Sequence, residues 1–313
     1  MTETTANPPK TWHVALAFAA LYIIWGTTYL AIALGVAEQK LPPFSFGGAR
    51  IGSAGAILLL MQLVLGRSLK LSGRDWRGVL FGAGFLFVGG NGLISWALQS
   101  VPSGESAVLA ATTTLWIAAF SRCFPGGDRL RPLGWLGIAM GLIGVIVLQW
   151  PALSEQGVSF AGNIGPWLVL ASAGSWGIGT VLLRQSPPTI PRLTSAGYQM
   201  FLGGLGMMAI GVLRGEQPPE RITTGAVGVF VYLLVMGSLL AFVAFHWLLE
   251  HVSAARVGTY AYVNPLVAVL LGNWWRSEPL GWPLVGGMSL ILFAVFLVRD
   301  RKRSDEGNVA GSD

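Results

Sequence analysis

The chain is divided into long runs that carry no charged side chain: 14–34, 51–66, 78–104, 106–121, 132–154, 156–183, 193–213, 222–249, 257–275 and 279–298. A helix needs about 20 mostly apolar residues to cross about 30 Å of hydrocarbon. On that measure the runs predict ten spans, several of them short, and an all-α polytopic membrane protein. The second run begins near Phe44, which places Arg50 inside it, and the QGVSFAGNIG stretch before Pro166 reads as loop. The joining segments (LPPFSFGG, GRSLKLSGRDWRG, PGGDRLRP, RQSPPTIPR, RGEQPPERITTG) are short and rich in Pro, Gly and charge, as helix ends should be. Charged residues make up 11% of the chain, against about 25% in soluble domains. No soluble domain is indicated.

The net charge of +6 lies between the apolar runs and at the C-terminal end, so membrane topology accounts for it and nucleic-acid binding does not. With ten spans both termini share a side, and fifteen of the 20 Lys and Arg fall there. By the positive-inside rule that side is cytoplasmic. Residues 1–11 show no secretory signal. Cys123 is the single cysteine, which excludes an internal disulfide and four-Cys metal sites.

An internal repeat organises the runs. Trp25-Gly26 recurs as Trp176-Gly177, a shift of 151, and the same shift carries Trp96 to Trp247, Leu98 to Leu249, Val101 to Val252 and Ala110 to Ala261. A shift of 150 then carries Asp128 to Glu278, Leu130 to Leu280, Gly137 to Gly287 and Val145 to Val295. Two repeats of five spans each, 13–150 and 165–299, are expected between a tail at 1–12 and another at 300–313. An odd span number inverts the second repeat in the membrane, a plan of secondary transporters.

LYIIWGTTYLAI, GNGLISWALQSVPSGESAVLAATTTLWIAAFSR, GTYAYVNPLVAVLLG and SEPL before a Gly-rich last span together resemble the EamA family of the drug/metabolite transporter superfamily, which includes bacterial amino-acid exporters. The resemblance covers nearly the whole chain. It implies a ten-helix, basket-like carrier with a central cavity lined mainly by spans 1, 3, 4, 6, 8 and 9. Two positions depart from the family pattern. Thr114 stands where the fourth span usually has Pro, although its repeat partner Pro265 is kept, and Asp128 stands where Glu is usual.

No enzyme site is visible: His13, His246 and His251 lack metal-site spacing, and no nucleophile elbow or phosphate loop occurs. GAGFLFVGG lies within a span and reads as helix packing. No cofactor or metal is called for. Arg50, near the outer end of its span, can snorkel to headgroups. Ser103 and Glu105 read as an N-cap with an acidic first turn. With no Lys in mid-span and every Arg toward a span end, the cavity is expected to be close to neutral, suiting a zwitterion or neutral molecule and not an anion. The candidate substrate contacts are Trp25 and Tyr29, Asn91 and Ser95, Thr112, Thr113 and Trp116, and in the second repeat Trp176, His246, Tyr260 and Asn264. Hydroxyls, amides and indole N–H groups can bond an ammonium or carboxylate while ring faces meet a side chain. His246 can also exchange protons near neutral pH. Pro265 in mid-span marks a hinge.

The function expected is alternating-access export of amino acids (aromatic, Thr, Met-like) and related neutral or zwitterionic metabolites across a bacterial inner membrane. The implied partners are the small-molecule substrate and the lipid bilayer. A same-fold carrier of drugs, purines or other metabolites is the alternative, and a non-transporting receptor or scaffold is a rival of another class. A monomer is compatible with the sequence, although the glycines serve internal packing and dimer faces alike.

Overall fold

Because lipid offers the backbone no hydrogen bonds, each apolar run must satisfy its own N–H and C=O groups, and each run contains a helix. The computed structural model describes residues 11–123, 132–151, 154, 164–252, 257 and 259–298, without the side chains of His246, Leu249 and Glu250. No strand occurs among these residues. The helices are α1 (Thr11–Ala33, continued by Leu34–Glu38), α2 (Pro43–Val64) and α3 (Gly73–Phe81, Gly82–Gly92 and Leu93–Ala97). They continue as α4 (Ser103–Ala110 and Thr113–Ser121), α5 (Pro132–Leu148), α6 (Gly165–Gln185) and α7 (Arg192–Leu213). The last are α8 (Thr224–Tyr232, Leu233–Leu240 and Ala241–His251), α9 (Tyr260–Arg276) and α10 (Trp282–Val298). Six helices (α1, α2, α3, α6, α7 and α8) are long and apolar enough to cross a membrane, and α5 and α10 are shorter apolar helices. Asp128 and most of the expected tails lie outside the described residues, and α1 already begins at Thr11.

These helices are apolar on nearly every side, so polarity does not choose their packing faces; small residues do. α5 buries Gly134, Gly137, Gly141 and Gly144 and turns Leu142, Ile143 and Ile146 outward. Its glycine face packs along α10. A methyl group on Gly137 would stand 2.9 Å from the Ala294 carbonyl oxygen, and one on Gly287 would stand 2.8 Å from that of Gly144. The two contacts are the same contact under a shift of 150. α2 and α7 cross as closely, and reciprocity recurs there at a shift of 149. Gly55 faces the Phe201 nitrogen and the Gly197 oxygen, and Gly204 faces the Gly52 nitrogen and the Gly48 oxygen.

Three helices widen to π-helical turns, α1 over Leu34–Glu38, α3 over Gly82–Gly92 and α8 over Leu233–Leu240, the last two beginning 151 residues apart. π-turns leave backbone groups and side chains displaced from the regular register, and they recur at functional sites. A further irregularity is in α4. It breaks at Ala111–Thr112 without a proline: the Thr112 N–H donates to the Leu109 carbonyl at 3.1 Å and the Leu115 N–H to that of Thr112 at 2.8 Å, a local tightening to three-residue spacing. α9, in contrast, runs unbroken through Pro265.

Helix ends are capped from far along the chain. The Glu216 carboxylate accepts from the Phe44 and Ser45 N–H groups at the start of α2, at 3.0 and 2.8 Å. Asp75, at the start of α3, accepts from the N–H and hydroxyl of Thr189 just before α7, both at 2.7 Å. The segment after α7 thus holds the start of α2, and the first turn of α3 holds the approach to α7.

Candidate functional site

A cavity of about 200 Å³ opens between α1, α2, α3, α4, α6, α8 and α9, with α7 contributing Met200. The π-turns supply part of its wall: Phe87, Gly90 and Asn91 from α3, and Gly237 and Ser238 from α8. Glycine lets the helices close around it. A methyl on Gly26 would lie 2.6 Å from the Val267 side chain, which seats α1 against α9. A shift of 151 turns that contact into Gly177 against Trp116, 2.8 Å from its Cβ, where α6 meets α4.

Of the sequence-expected contacts, Trp25, Tyr29, Asn91, Thr113, Trp176, Tyr260 and Asn264 line this one cavity, as does Pro265. The Trp25 indole sits edge-on to Tyr260, ring centres 5.1 Å apart, and its Nε1 donates to the Gly237 carbonyl at 3.3 Å. The Asn264 amide faces the carbonyl oxygens of Tyr22 and Tyr260, so its NH2 end is the one held there, 3.2 Å from each. Three expected contacts are turned elsewhere. Ser95 is 1% exposed beside Gly47, and its hydroxyl has no hydrogen-bond partner among the described residues. The Thr112 hydroxyl is spent on the Leu109 carbonyl at 2.6 Å. Trp116 stacks on Phe120 and packs against Gly177. His246 lies in α8, and its side chain is outside the described residues.

Arg50 departs most from expectation. It is 4% exposed, does not snorkel outward, and its guanidinium lines the cavity. Nη1 donates to the Ser238 hydroxyl at 3.1 Å and Nη2 to the Asn91 oxygen at 3.3 Å. The expectation of a neutral cavity is therefore corrected: a position near a span end does not keep a long side chain at the surface when its helix face is covered by α8.

The family model described as the EamA-like transporter family matches residues 11–150 and 163–299. The chain belongs to this family. Among its relatives, the uncharacterized inner membrane transporter YedA of Escherichia coli (strain K12) is 38% identical over 290 residues, spanning 90% of this chain and 89% of YedA. Protein PecM of Dickeya dadantii (strain 3937) is 29% identical over 285 residues, 88% of this chain and 89% of PecM. A solved crystal structure superposes with a TM-score of 0.64 over 93% of this chain and 98% of its own at 23% identity, which shows the shared fold. The sequence-level resemblance is thereby borne out, and the chain is a membrane transporter.

The start of α4 in this EamA-like transporter is tied down by a carboxylate that sequence reasoning assigned no structural role. The N–H and hydroxyl of Ser103 both donate to Glu278 Oε1 at 2.8 Å, and the Gly104 N–H donates to Oε2 at 2.9 Å. Ser103 is therefore not the cap of α4; it is capped, by a residue 175 positions away. Arg276 neutralises the same carboxylate at 3.2 Å and also bonds Glu38 at 3.0 Å. Glu105 instead accepts from Gln149 at 2.7 Å. The reading also missed Thr28, Thr114, Ser172 and Ser238 as lining residues. Ser172 carried a usable signal, being one turn before Trp176 on the same helix face. So did Arg50, as a charge inside a span.

Proposed function

We propose that this EamA-like transporter exports amino acids and related neutral or zwitterionic metabolites across a bacterial inner membrane. It works by alternating access between two inverted five-helix repeats, 13–150 and 165–299, with both termini cytoplasmic. The observation that carries the reading is the cavity, walled by helices from both halves and combining one guanidinium with amide groups and aromatic faces. Support for the repeats comes from the contacts that recur at shifts of 149 to 151, from the paired π-turns, and from the family model matching twice. The inner-membrane location rests on the name of YedA. Trp25, Tyr29, Asn91, Thr113, Trp176, Tyr260 and Asn264 contact the substrate. Pro265 removes the N–H that would bond the Ala261 carbonyl, so that oxygen is available to an ammonium group and α9 has its hinge there. Efflux of labelled Trp, Phe, Thr and Met from proteoliposomes tests the proposal. Labelled amino acid should leave faster than from protein-free vesicles, and no flux of any of the four would sink it.

A further inference from the structure

Arg50 is the one charged side chain among the described residues that line the cavity. A guanidinium carries five N–H donors. Two are engaged, by Ser238 and Asn91, and Nε is buried without a hydrogen-bond partner. Among the described residues no Asp or Glu lines the cavity or pairs with Arg50. Buried charges are ordinarily paired, because an unpaired one forfeits its hydration without return. Asn91 is itself fixed: its Nδ2 donates to the Leu86 carbonyl at 3.2 Å, which leaves Oδ1 turned to the arginine. Both neighbours of the cation are neutral, so they orient it without cancelling its charge.

Each of the two partners of Arg50 has a phenyl one helical turn away on its own helix. Phe87 precedes Asn91 by four residues and Phe242 follows Ser238 by four, and both phenyls line the cavity. Four residues of helix correspond to about 6 Å. Under the shift of 151, Asn91 corresponds to Phe242 and Ser238 to Phe87. Under the shift of 149 that relates α2 to α7, Arg50 corresponds to Gln199, which bonds Ser195 at 3.1 Å and is not on the cavity wall. The backbone contacts repeat between the halves, and the polar trio does not. Packing requirements shared by both halves therefore do not explain it.

We propose that Arg50, held by Asn91 and Ser238, is the anion anchor of the cavity and takes the carboxylate of the transported molecule, while Phe87 and Phe242 receive an apolar group about one helical turn away. The ligand class is a small monocarboxylate with an apolar side group, the amino-acid zwitterion included. One guanidinium balances one carboxylate and leaves a dianion half uncompensated. The inference rests on the amino-acid transport reading for its first probe and is separable from it by the others.

The test is thermal stabilisation of the purified full-length protein by L-phenylalanine, L-phenylalanine amide, hydrocinnamate and hydrocinnamide. Each carboxylate should half-saturate at a concentration at least about tenfold below that of its amide, the loss expected when a charged hydrogen-bonded pair is broken. Arg50→Gln should erase the difference and Arg50→Lys should keep part of it. Equal stabilisation by acid and amide in the unsubstituted protein overturns the anchor and leaves amino-acid transport standing. Stabilisation by hydrocinnamate but not by phenylalanine keeps the anchor and overturns the amino-acid reading. If neither carboxylate acts better than its amide, the anchor is wrong. That comparison needs no variant, so a folding defect in Arg50→Gln does not rescue the proposal.

Discussion

The crossing of α2 and α7 makes a quantitative demand on single methyl groups. An alanine at Gly204 would place its Cβ 2.4 Å from the Gly52 nitrogen, 2.5 Å from the Gly52 Cα and 2.6 Å from the Gly48 oxygen. All three are backbone atoms, so no side chain can swing away, and carbon contacts are comfortable only near 3.5–4.0 Å. The helices must part by about 1 Å, and overpacking of that kind costs about 1–3 kcal/mol. Alanine's helix preference returns about 1 kcal/mol, so Gly204→Ala should destabilise by up to about 2 kcal/mol. Gly52 lies on the same interface, yet its nearest neighbour would be 3.6 Å away, an ordinary contact. Gly52→Ala should therefore be neutral or slightly stabilising. Gly55, whose methyl would stand 2.3 Å from the Phe201 nitrogen, is the reciprocal position and should match Gly204→Ala. The double substitution should cost less than the sum, because one separation of the two helices makes room for both methyls. Thermal unfolding in detergent, followed by size-exclusion chromatography of heated samples, ranks the four proteins. Equal unfolding temperatures for Gly52→Ala and Gly204→Ala would refute the reasoning, as would opposite behaviour of Gly55→Ala and Gly204→Ala.

Arg50→Gln gives up two charged hydrogen bonds, about 1.5–3 kcal/mol each, but also removes an unpaired buried ion that costs several kcal/mol. Its unfolding temperature should hold or rise, and a fall of more than about 5 °C would make Arg50 a structural residue. Glu278→Gln weakens the cap on α4 and its pairing with Arg276, so a loss of about 1–2 kcal/mol in detergent unfolding is expected; no change would remove the capping role. Cys123 is the single, exposed thiol at the end of α4. On the proposed orientation a membrane-impermeant maleimide should label it in inside-out vesicles and not in intact cells, and labelling from the outside would invert the topology.

The apolar helices were legible in the sequence because lipid leaves an uncharged run of that length so few alternatives. The shift of 151 was legible at Trp25-Gly26 and Trp176-Gly177 because both glycines serve the same close approach to a neighbouring helix. Side-chain direction was not. Asn91 and Ser95 are one turn apart on α3, and both were plausible wall residues, yet only Asn91 reaches the cavity; the π-turns over Gly82–Gly92 rotate the face that a regular helix would present. Thr112 and Thr113 differ in the same way, because α4 breaks between Ala111 and Thr113 with no proline to announce it. Arg50 was misread for a related reason. Distance from a span end measures depth along the helix and says nothing about which face it occupies, and here that face meets Ser238.

Reciprocity in the frame and its absence in the lining serve different requirements. In the proposed cycle the two inverted halves exchange roles, so the packing of one state is rebuilt from the other half's residues in the next. Matched glycine contacts, Gly26 on Val267 beside Gly177 on Trp116 and Gly55 on α7 beside Gly204 on α2, keep those two packings similar in energy. A transition between them then needs only the few kcal/mol by which a ligand can discriminate two states. The proposed ligand has no such symmetry: an amino acid has a charged end and a side chain. A wall with the same residues at both levels would bind it equally well either way up, with no residue committed to its carboxylate. Placing Arg50, Asn91 and Ser238 at one level and Phe87 and Phe242 at the other breaks that degeneracy without disturbing the helix contacts that move. On this account, substitutions at the glycine contacts alter the rate of exchange for every substrate, and substitutions in the lining alter which substrate is carried.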